Sequence, residues 1–253
     1  MSLHRHRHSL SDPWQVGAVV LAGGYGERLG RGPKALIEIA DKPLLLHVLE
    51  STVANDCVTA IVITAPDGME AAFQEVIDSA DLSTPIEITR GGLTRQDSAH
   101  AGVRALPPSV EWVAVTDVAR PFTHRGTVDR LVGCLRGVAQ GMQSKLTPCG
   151  AIPVIPLTDS VHLVTDHLVL AHPFDRSTLR AAQAPQFFSR TCITAAYESA
   201  MRTDSMFTDD AGMVSHFGGT VTSMRGDVTN IKITYEYDLT LAEAIYYQSL
   251  RLQ

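Results

Sequence analysis

No uncharged apolar run in this chain approaches the roughly 20 residues that a membrane-spanning helix needs, which excludes a helical membrane protein. Cysteine is scarce. Cys57, Cys134, Cys149 and Cys192 stand far apart with no CxxC pair, a spacing expected of buried thiols in a reducing cytoplasm rather than of a zinc site or a disulfide framework. Positive charge is outnumbered, with 21 Lys and Arg against 27 Asp and Glu and a net charge of −6. A protein that coats nucleic acid is thereby excluded, and any working positive charge must be gathered locally. The first dozen residues, MSLHRHRHSLSD, lack the apolar middle of a signal peptide, so residues 1–14 read as a disordered or tag-like tail. Its alternating His4, His6 and His8 have nothing to fix the geometry of a metal site. Two nucleotide motifs are also missing. There is no GKS or GKT, which removes a P-loop NTPase, and the GxGxxG pattern breaks at Leu29, with Gly30 one position late, which disfavours a dinucleotide-dependent dehydrogenase.

What is present is ordinary for a soluble domain: 253 residues, 45% hydrophobic and 19% charged, enough for one α/β unit with a sizeable core. Apolar β-rich runs recur at 16–21, 58–64, 85–89 and 110–116, and stretches of helical period lie between them at 43–54, 68–79, 98–106 and 123–138. This alternation predicts an α/β fold with a mostly parallel twisted sheet and helices on both faces. Residues 147–176, with short alternating runs and several prolines, predict a protruding β-arm at about 150–176. Its apolar residues, among them Val161, Leu163, Val164, Leu168, Val169 and Leu170, would need covering by a second subunit. Helices at 189–201 and 208–217, strands at 220–224 and 230–234, and a closing helix from Asp238 complete the expectation. No repeat or linker divides residues 15–253, which read as a single domain.

Sheets of this kind bind ligands beyond the carboxyl ends of their strands, so the segments following the strands carry the chemistry. After strand 16–21 comes AGGYGERLGRGPK, a glycine loop whose amides can face phosphate oxygens, followed by Arg28 and Lys34. A planar guanidinium and a mobile ammonium suit a triphosphate, whose α-phosphorus must be approached by a further anion. Taken alone, the pair would more simply be solvated loop charges. After strand 85–89 comes RGGLTRQDS, in which the Gly92 amide, Arg95 and the Ser98 hydroxyl could read the polar edge of a base; a turn with a helix cap is the plainer alternative. After strand 110–116 comes DVARPF, where Asp117 could bind Mg²⁺, accept from a substrate hydroxyl or merely cap the loop.

Together LAGGYGERLG…PK, GGLTRQDS, DVARPF, DRSTLRAAQAPQFF, TDDA and NIKIT, in this order, resemble the 2-C-methyl-D-erythritol 4-phosphate cytidylyltransferases from about Val16 to Gln248. They also resemble the sister enzymes acting on ribitol 5-phosphate. The resemblance implies a Rossmann-like nucleotidyltransferase, a homodimer built through the β-arm, a cytoplasmic location, and a Mg²⁺-dependent joining of CTP to a polyol phosphate with release of pyrophosphate. It implies that Arg28 and Lys34 stabilise the transition state and that Arg176 and Lys232 hold the substrate phosphate. Ala22, Gly23, Gly24, Gly26, Gly92, Arg95 and Ser98 fall at CTP-binding positions. Asp117, Arg120, Ser160 and Thr208 fall at acceptor positions, and Asp117 is the candidate metal ligand. Departures from the family pattern are Thr116, His162 and Ala184, all on the acceptor side. TDDA and the spacing of DVARP favour methylerythritol phosphate, whereas LAGG and KPLLLHVLE favour ribitol phosphate, the alternative acceptor. A CTP-binding protein without transferase activity is the second alternative.

Overall fold

The computed structural model of the chain describes residues 14–26, 28–141, 147–165 and 174–251. In chain order its first half runs β1 (Val16–Leu21), β2 (Glu38–Ile39), β3 (Lys42–Pro43), α1 (Leu44–Val53), β4 (Val58–Ala65), α2 (Glu70–Asp78), β5 (Ile86–Arg90), α3 (Arg95–Ala105) and β6 (Trp112–Asp117). There follow α4 (Thr127–Gly141), β7 (Gly150–Pro156), β8 (Arg180–Ala182), β9 (Gln186–Ser189), α5 (Arg190–Thr203), α6 (Asp210–His216), β10 (Val221–Arg225) and α7 (Glu236–Arg251).

The sheet grows outward from β1, whose six residues are all buried. Successive side chains of a strand point to opposite faces. Val16, Ala18 and Val20 accordingly join a core with Leu44, Leu45 and Leu49 of α1, Phe73 of α2 and Leu131 of α4. Val19 and Leu21 join the opposite core, with Val103 of α3, Ile193 and Tyr197 of α5, and Met213 of α6. Helix α3 approaches β1 so closely that a methyl group at Gly102 would overlap the Val19 side chain. The result is a three-layer sandwich with helices on both faces, as the alternation predicts.

The strand order is β10-β7-β9-β6-β1-β4-β5, with β8 paired to β7. β1 runs parallel to both β4 and β6, and β5 parallel to β4. The connection from β1 therefore leads to one side of the sheet and the later return to β6 to the other. This reversal opens a crevice at the carboxyl ends of β1 and β6. Beyond β6 the sheet turns mixed: β9 is antiparallel to both β6 and β7.

Four expectations need correction. Residues 230–234 form no strand; the Ile233 N–H donates to Ala119 O at 2.8 Å. Ile233 is buried and Lys232 is not, so the alternation is real but expresses burial rather than sheet pairing. The arm also starts later than expected, because β7 lies inside the main sheet, parallel to β10 and antiparallel to β9. Leu163 and Val164 are exposed, while Leu168, Val169 and Leu170 lie outside the described residues. Trp14, placed in the tail by its position, stacks on Trp112 with ring centroids 4.2 Å apart; residues 1–13 lie outside the described residues. Cys149 and Cys192, expected as separate thiols, are joined in a disulfide between the start of β7 and α5, leaving Cys57 and Cys134 free.

Candidate functional site

Beyond Leu21 the chain must turn away from the sheet while keeping its backbone open to the crevice. Gly26 makes the turn at φ +62°, a left-handed conformation that a side chain strains, and its carbonyl accepts from the N–H groups of Leu29 (2.7 Å) and Gly30 (3.0 Å). The Lys34 N–H donates to Gly24 O at 3.0 Å, which folds the basic end of the loop back onto its glycines. Gly23, Gly24 and Gly26 line a cavity of about 560 Å³ that is closed by Arg28, Lys34, the 92–98 segment, Asp117 and Lys232. Ala22 is fully buried and donates its N–H to Thr64 O, so it backs the cavity without lining it.

Asp117 is the hub. It ends β6, opposite Leu21 in the parallel pairing, and its side chain is 14% exposed. Its Oδ1 accepts from Arg95 Nε at 3.2 Å and its Oδ2 from Lys232 Nζ at 2.9 Å. Burial pushes the Asp117 carboxyl upward, but Arg95 and Lys232 overcome it and hold the group below the usual carboxylate range. Arg95 is shared, since its Nη2 also donates to Asp210 Oδ2 at 3.0 Å. Burial disfavours its charge, yet Asp210 and Asp117 keep it above the ordinary arginine value. Asp210 in turn accepts from the buried Tyr197 hydroxyl at 2.7 Å. Arg95 therefore spends two of its donor nitrogens on carboxylates while lining the cavity beside Gly92 and Ser98. The Ser98 hydroxyl donates to Thr94 O at 2.9 Å and accepts from the Gly92 N–H at 3.1 Å, so these two expected base contacts begin by satisfying each other. Thr94 and Asp97 form the capping box that starts α3.

On the basic side, Lys34 Nζ donates to Ile233 O at 3.1 Å. Burial, then the neighbouring Lys232 and Arg28, pull its ammonium below the ordinary lysine value. Uncompensated positive charge thus accumulates where a polyanion would relieve it. Arg28 lies over the Tyr235 ring, its guanidinium carbon 5.3 Å from the centroid.

A smaller recess of about 240 Å³ adjoins the cavity and shares Arg95, Asp117 and Lys232 with it; Arg120, Ala184 and Thr208 also line it. Arg120 is fixed by Asn230 O at 2.7 Å, while its Nε is buried with no hydrogen-bond partner. Burial pulls its guanidinium below the ordinary value. Ala184 is buried, and its carbonyl accepts from the Asn230 side-chain amide at 2.8 Å. Thr116 Oγ1 is buried and unpartnered, and His162 is exposed on the arm side.

Two expected residues stay apart. Arg176 is exposed on a short 3₁₀ turn, Arg176–Thr178, where it donates to Thr158 O, and Ser160 is also exposed; neither lines the cavity or the recess. Of the four expected cations, Arg28, Lys34 and Lys232 therefore meet within one chain. Sequence reasoning missed Asp210 as the second anchor of Arg95, although TDDA had marked the segment. Tyr235 was also missed, because it lies one residue past NIKIT.

The site tolerates a magnesium ion of one kind. Among the described residues no cluster of three His, Cys, Asp or Glu could hold a resident metal, and Asp117 is the only carboxylate lining the cavity. Each Asp117 oxygen makes one bond and keeps a second acceptor position. That donor set fits Mg²⁺ arriving on a triphosphate, bound by one carboxylate and the substrate's own oxygens.

A parallel sheet whose reversal point carries a glycine loop, converging cations and one buried carboxylate defines a Rossmann-like nucleotide-phosphate-binding protein. The model of the family described as 2-C-methyl-D-erythritol 4-phosphate cytidylyltransferase matches residues 16–248. The protein of that name from Frankia casuarinae is 38% identical over 242 residues, covering 95% of this chain and 84% of its own. Its counterpart from Streptomyces avermitilis is 35% identical over 240 residues, covering 91% of each. Among solved structures, the 2-C-methyl-D-erythritol 4-phosphate cytidylyltransferase of Thermus thermophilus superposes with a TM-score of 0.70 at 28% identity, over 91% of this chain and 98% of that one. The 4-diphosphocytidyl-2C-methyl-D-erythritol synthase of Anaerococcus prevotii shares the fold, with a TM-score of 0.80 at 24% identity over 94% and 98% of the chains. The chain belongs to the 2-C-methyl-D-erythritol 4-phosphate cytidylyltransferase family.

Proposed function

We propose that the chain transfers the cytidylyl group of CTP to 2-C-methyl-D-erythritol 4-phosphate, forming CDP-methylerythritol and pyrophosphate for isoprenoid precursor synthesis. The observation that carries this is the convergence of Arg28, Lys34 and Lys232 on the cavity that Gly23, Gly24 and Gly26 line. The triphosphate lies against the glycine amides, with the base towards the 92–98 segment. The acceptor phosphate, whose second pKa is about 6, is already a dianion at neutral pH, so no general base is required. One of its oxygens attacks the α-phosphorus, a new P–O bond forms, and the α–β anhydride bond breaks with its electron pair leaving on pyrophosphate. The protein's task is to hold two anions in line and neutralise their repulsion. Lys34 and Arg28 meet the charge that develops at the α-phosphorus, and Lys232 meets the acceptor phosphate. Asp117 orients Arg95 and Lys232 and is the residue that would hold Mg²⁺. When bound, the ion supplies charge neutralisation on the triphosphate.

The acceptor occupies the recess beside Arg120 and Thr208. Arg176 and Ser160, which stand outside it, reach the site of a second copy, so the working form is a homodimer in the cytoplasm. Among the described residues no helix is long and apolar enough to cross a membrane. Assays of pyrophosphate release with methylerythritol phosphate, ribitol 5-phosphate and related sugar phosphates, each with CTP and UTP, test the proposal. Turnover is expected with CTP and methylerythritol phosphate. Turnover confined to ribitol 5-phosphate overturns the acceptor, and CTP binding without turnover on any acceptor overturns the transferase activity.

A further inference from the structure

The loop that carries the cations is fastened to one short segment, Ile233–Glu236, at the start of α7. Lys34 Nζ donates to Ile233 O at 3.1 Å, Arg28 lies over the Tyr235 ring, and Arg31 pairs with Glu236. Each basic side chain between residues 28 and 34 therefore has its own partner there. The segment is itself set before any ligand arrives. The Asp238 carboxylate accepts from the backbone N–H groups of Thr234 and Tyr235, both at 2.7 Å, which fixes the entry to α7 and the direction in which Tyr235 points.

Arg28 has most need of such support. It is exposed, follows a run of glycines, and has a long side chain with many conformers. An arginine wandering in solvent would meet a transition state only after losing that freedom. Tyr235 removes the difficulty in two ways: the ring face attracts the cation at 5.3 Å, and the hydroxyl accepts from Arg28 Nη1 at 3.4 Å. The ring is itself half exposed and contributes little to the core, so its presence is not explained by packing.

We propose that Tyr235 is a positioning residue, which holds Arg28 over the cavity so that the guanidinium is in place when charge develops at the α-phosphorus. The inference deepens the transferase reading and rests on it for its consequence, though not for its geometry. Two measurements separate these. In the first, steady-state pyrophosphate release is compared for wild type, Tyr235→Phe, Tyr235→Leu, Tyr235→Gln, Arg28→Ala and the Arg28→Ala/Tyr235→Leu pair. Losing the ring is expected to lower kcat by about five- to ten-fold with the KM for CTP nearly unchanged. Phe retains most of the rate, and on the Arg28→Ala background the loss of the ring costs nothing further. Tyr235→Gln gives the same outcome should the leucine variant fold poorly. In the second, the Arg28 Nε–H resonance of labelled wild-type protein, assigned by its loss in Arg28→Ala, is expected to be shifted upfield by the ring and to return to the ordinary arginine position in Tyr235→Gln. Equal turnover of wild type and the Leu and Gln variants, or an equal loss on the Arg28→Ala background, overturns the role. An Arg28 resonance identical in wild type and Tyr235→Gln overturns the contact, even if no acceptor supports turnover and the transferase reading itself fails.

Discussion

The cavity at the strand ends and the arm that follows β7 carry the same kind of side chain in opposite circumstances. Arg95 is partly buried and holds two carboxylates, one of them shared with Lys232. Arg176 is exposed and donates to a carbonyl of its own arm. The difference follows from how each is positioned. Parallel strands deliver their following loops to one edge, so residues distant in sequence meet within a single chain and can be fixed by ion pairs made once the sheet has formed. An arm projects away from the sheet, and residues on it are placed by whatever the arm meets.

The largest effect that would sharpen this contrast is at Lys34. Lys34→Ala is expected to lower kcat by about 100- to 1,000-fold, with a much smaller change in CTP affinity, because its contact tightens as charge develops. Steady-state kinetics paired with calorimetric CTP binding checks this, and a loss of CTP affinity with kcat unchanged would place Lys34 in binding alone. Next comes Asp210→Ala. The side chain is 2% exposed, and its loss leaves Arg95 and the Tyr197 hydroxyl without their shared partner. Urea denaturation should show about 3 kcal/mol of destabilisation; a change below about 0.5 kcal/mol would mean that the network positions groups without stabilising the fold.

A smaller, graded effect is expected with pH. The charged form of Lys34 serves the reaction, and its pKa is lowered by burial and by Lys232 and Arg28. The value of kcat/KM for CTP should therefore fall as pH rises through a value below the ordinary 10.5 of lysine. Lys34→Arg keeps its charge throughout, so this limb should vanish in that variant; an identical limb would assign the titration elsewhere. The smallest expected change in stability is at the arm. Arg176→Ala should alter the unfolding free energy by less than about 0.5 kcal/mol while lowering turnover. Mixing it with Lys34→Ala and allowing subunits to exchange should restore activity, since one site of each mixed pair would then have both cations. No recovery would break the comparison by showing that Arg176 acts within its own chain.

Much of this was legible in the sequence because the signals are local. The apolar run of β1, the glycines beyond it and Asp117 at the end of β6 each declare themselves within a few residues. The acidic anchor Asp210 did not, since nothing local says that its carboxylate turns inward to Arg95, more than a hundred positions earlier. The strand expected at 230–234 failed for a related reason: alternation of Ile233 with its polar neighbours reports which side is buried, and a segment crossing the sheet edge has the same alternation as one inside it. The Cys149–Cys192 pairing was hidden because spacing along the chain says nothing of the approach between β7 and α5.

The central claim is that the glycine loop and its cations form the seat of a nucleotide triphosphate. A crystal structure of the protein with CTP and Mg²⁺ tests it most directly. The account predicts the triphosphate against Gly23, Gly24 and Gly26, with the α-phosphorus facing Lys34 and the cytosine beside Gly92 and Ser98. CTP seated instead in the larger cavity around His47 and Tyr246, which measures about 740 Å³, would contradict it.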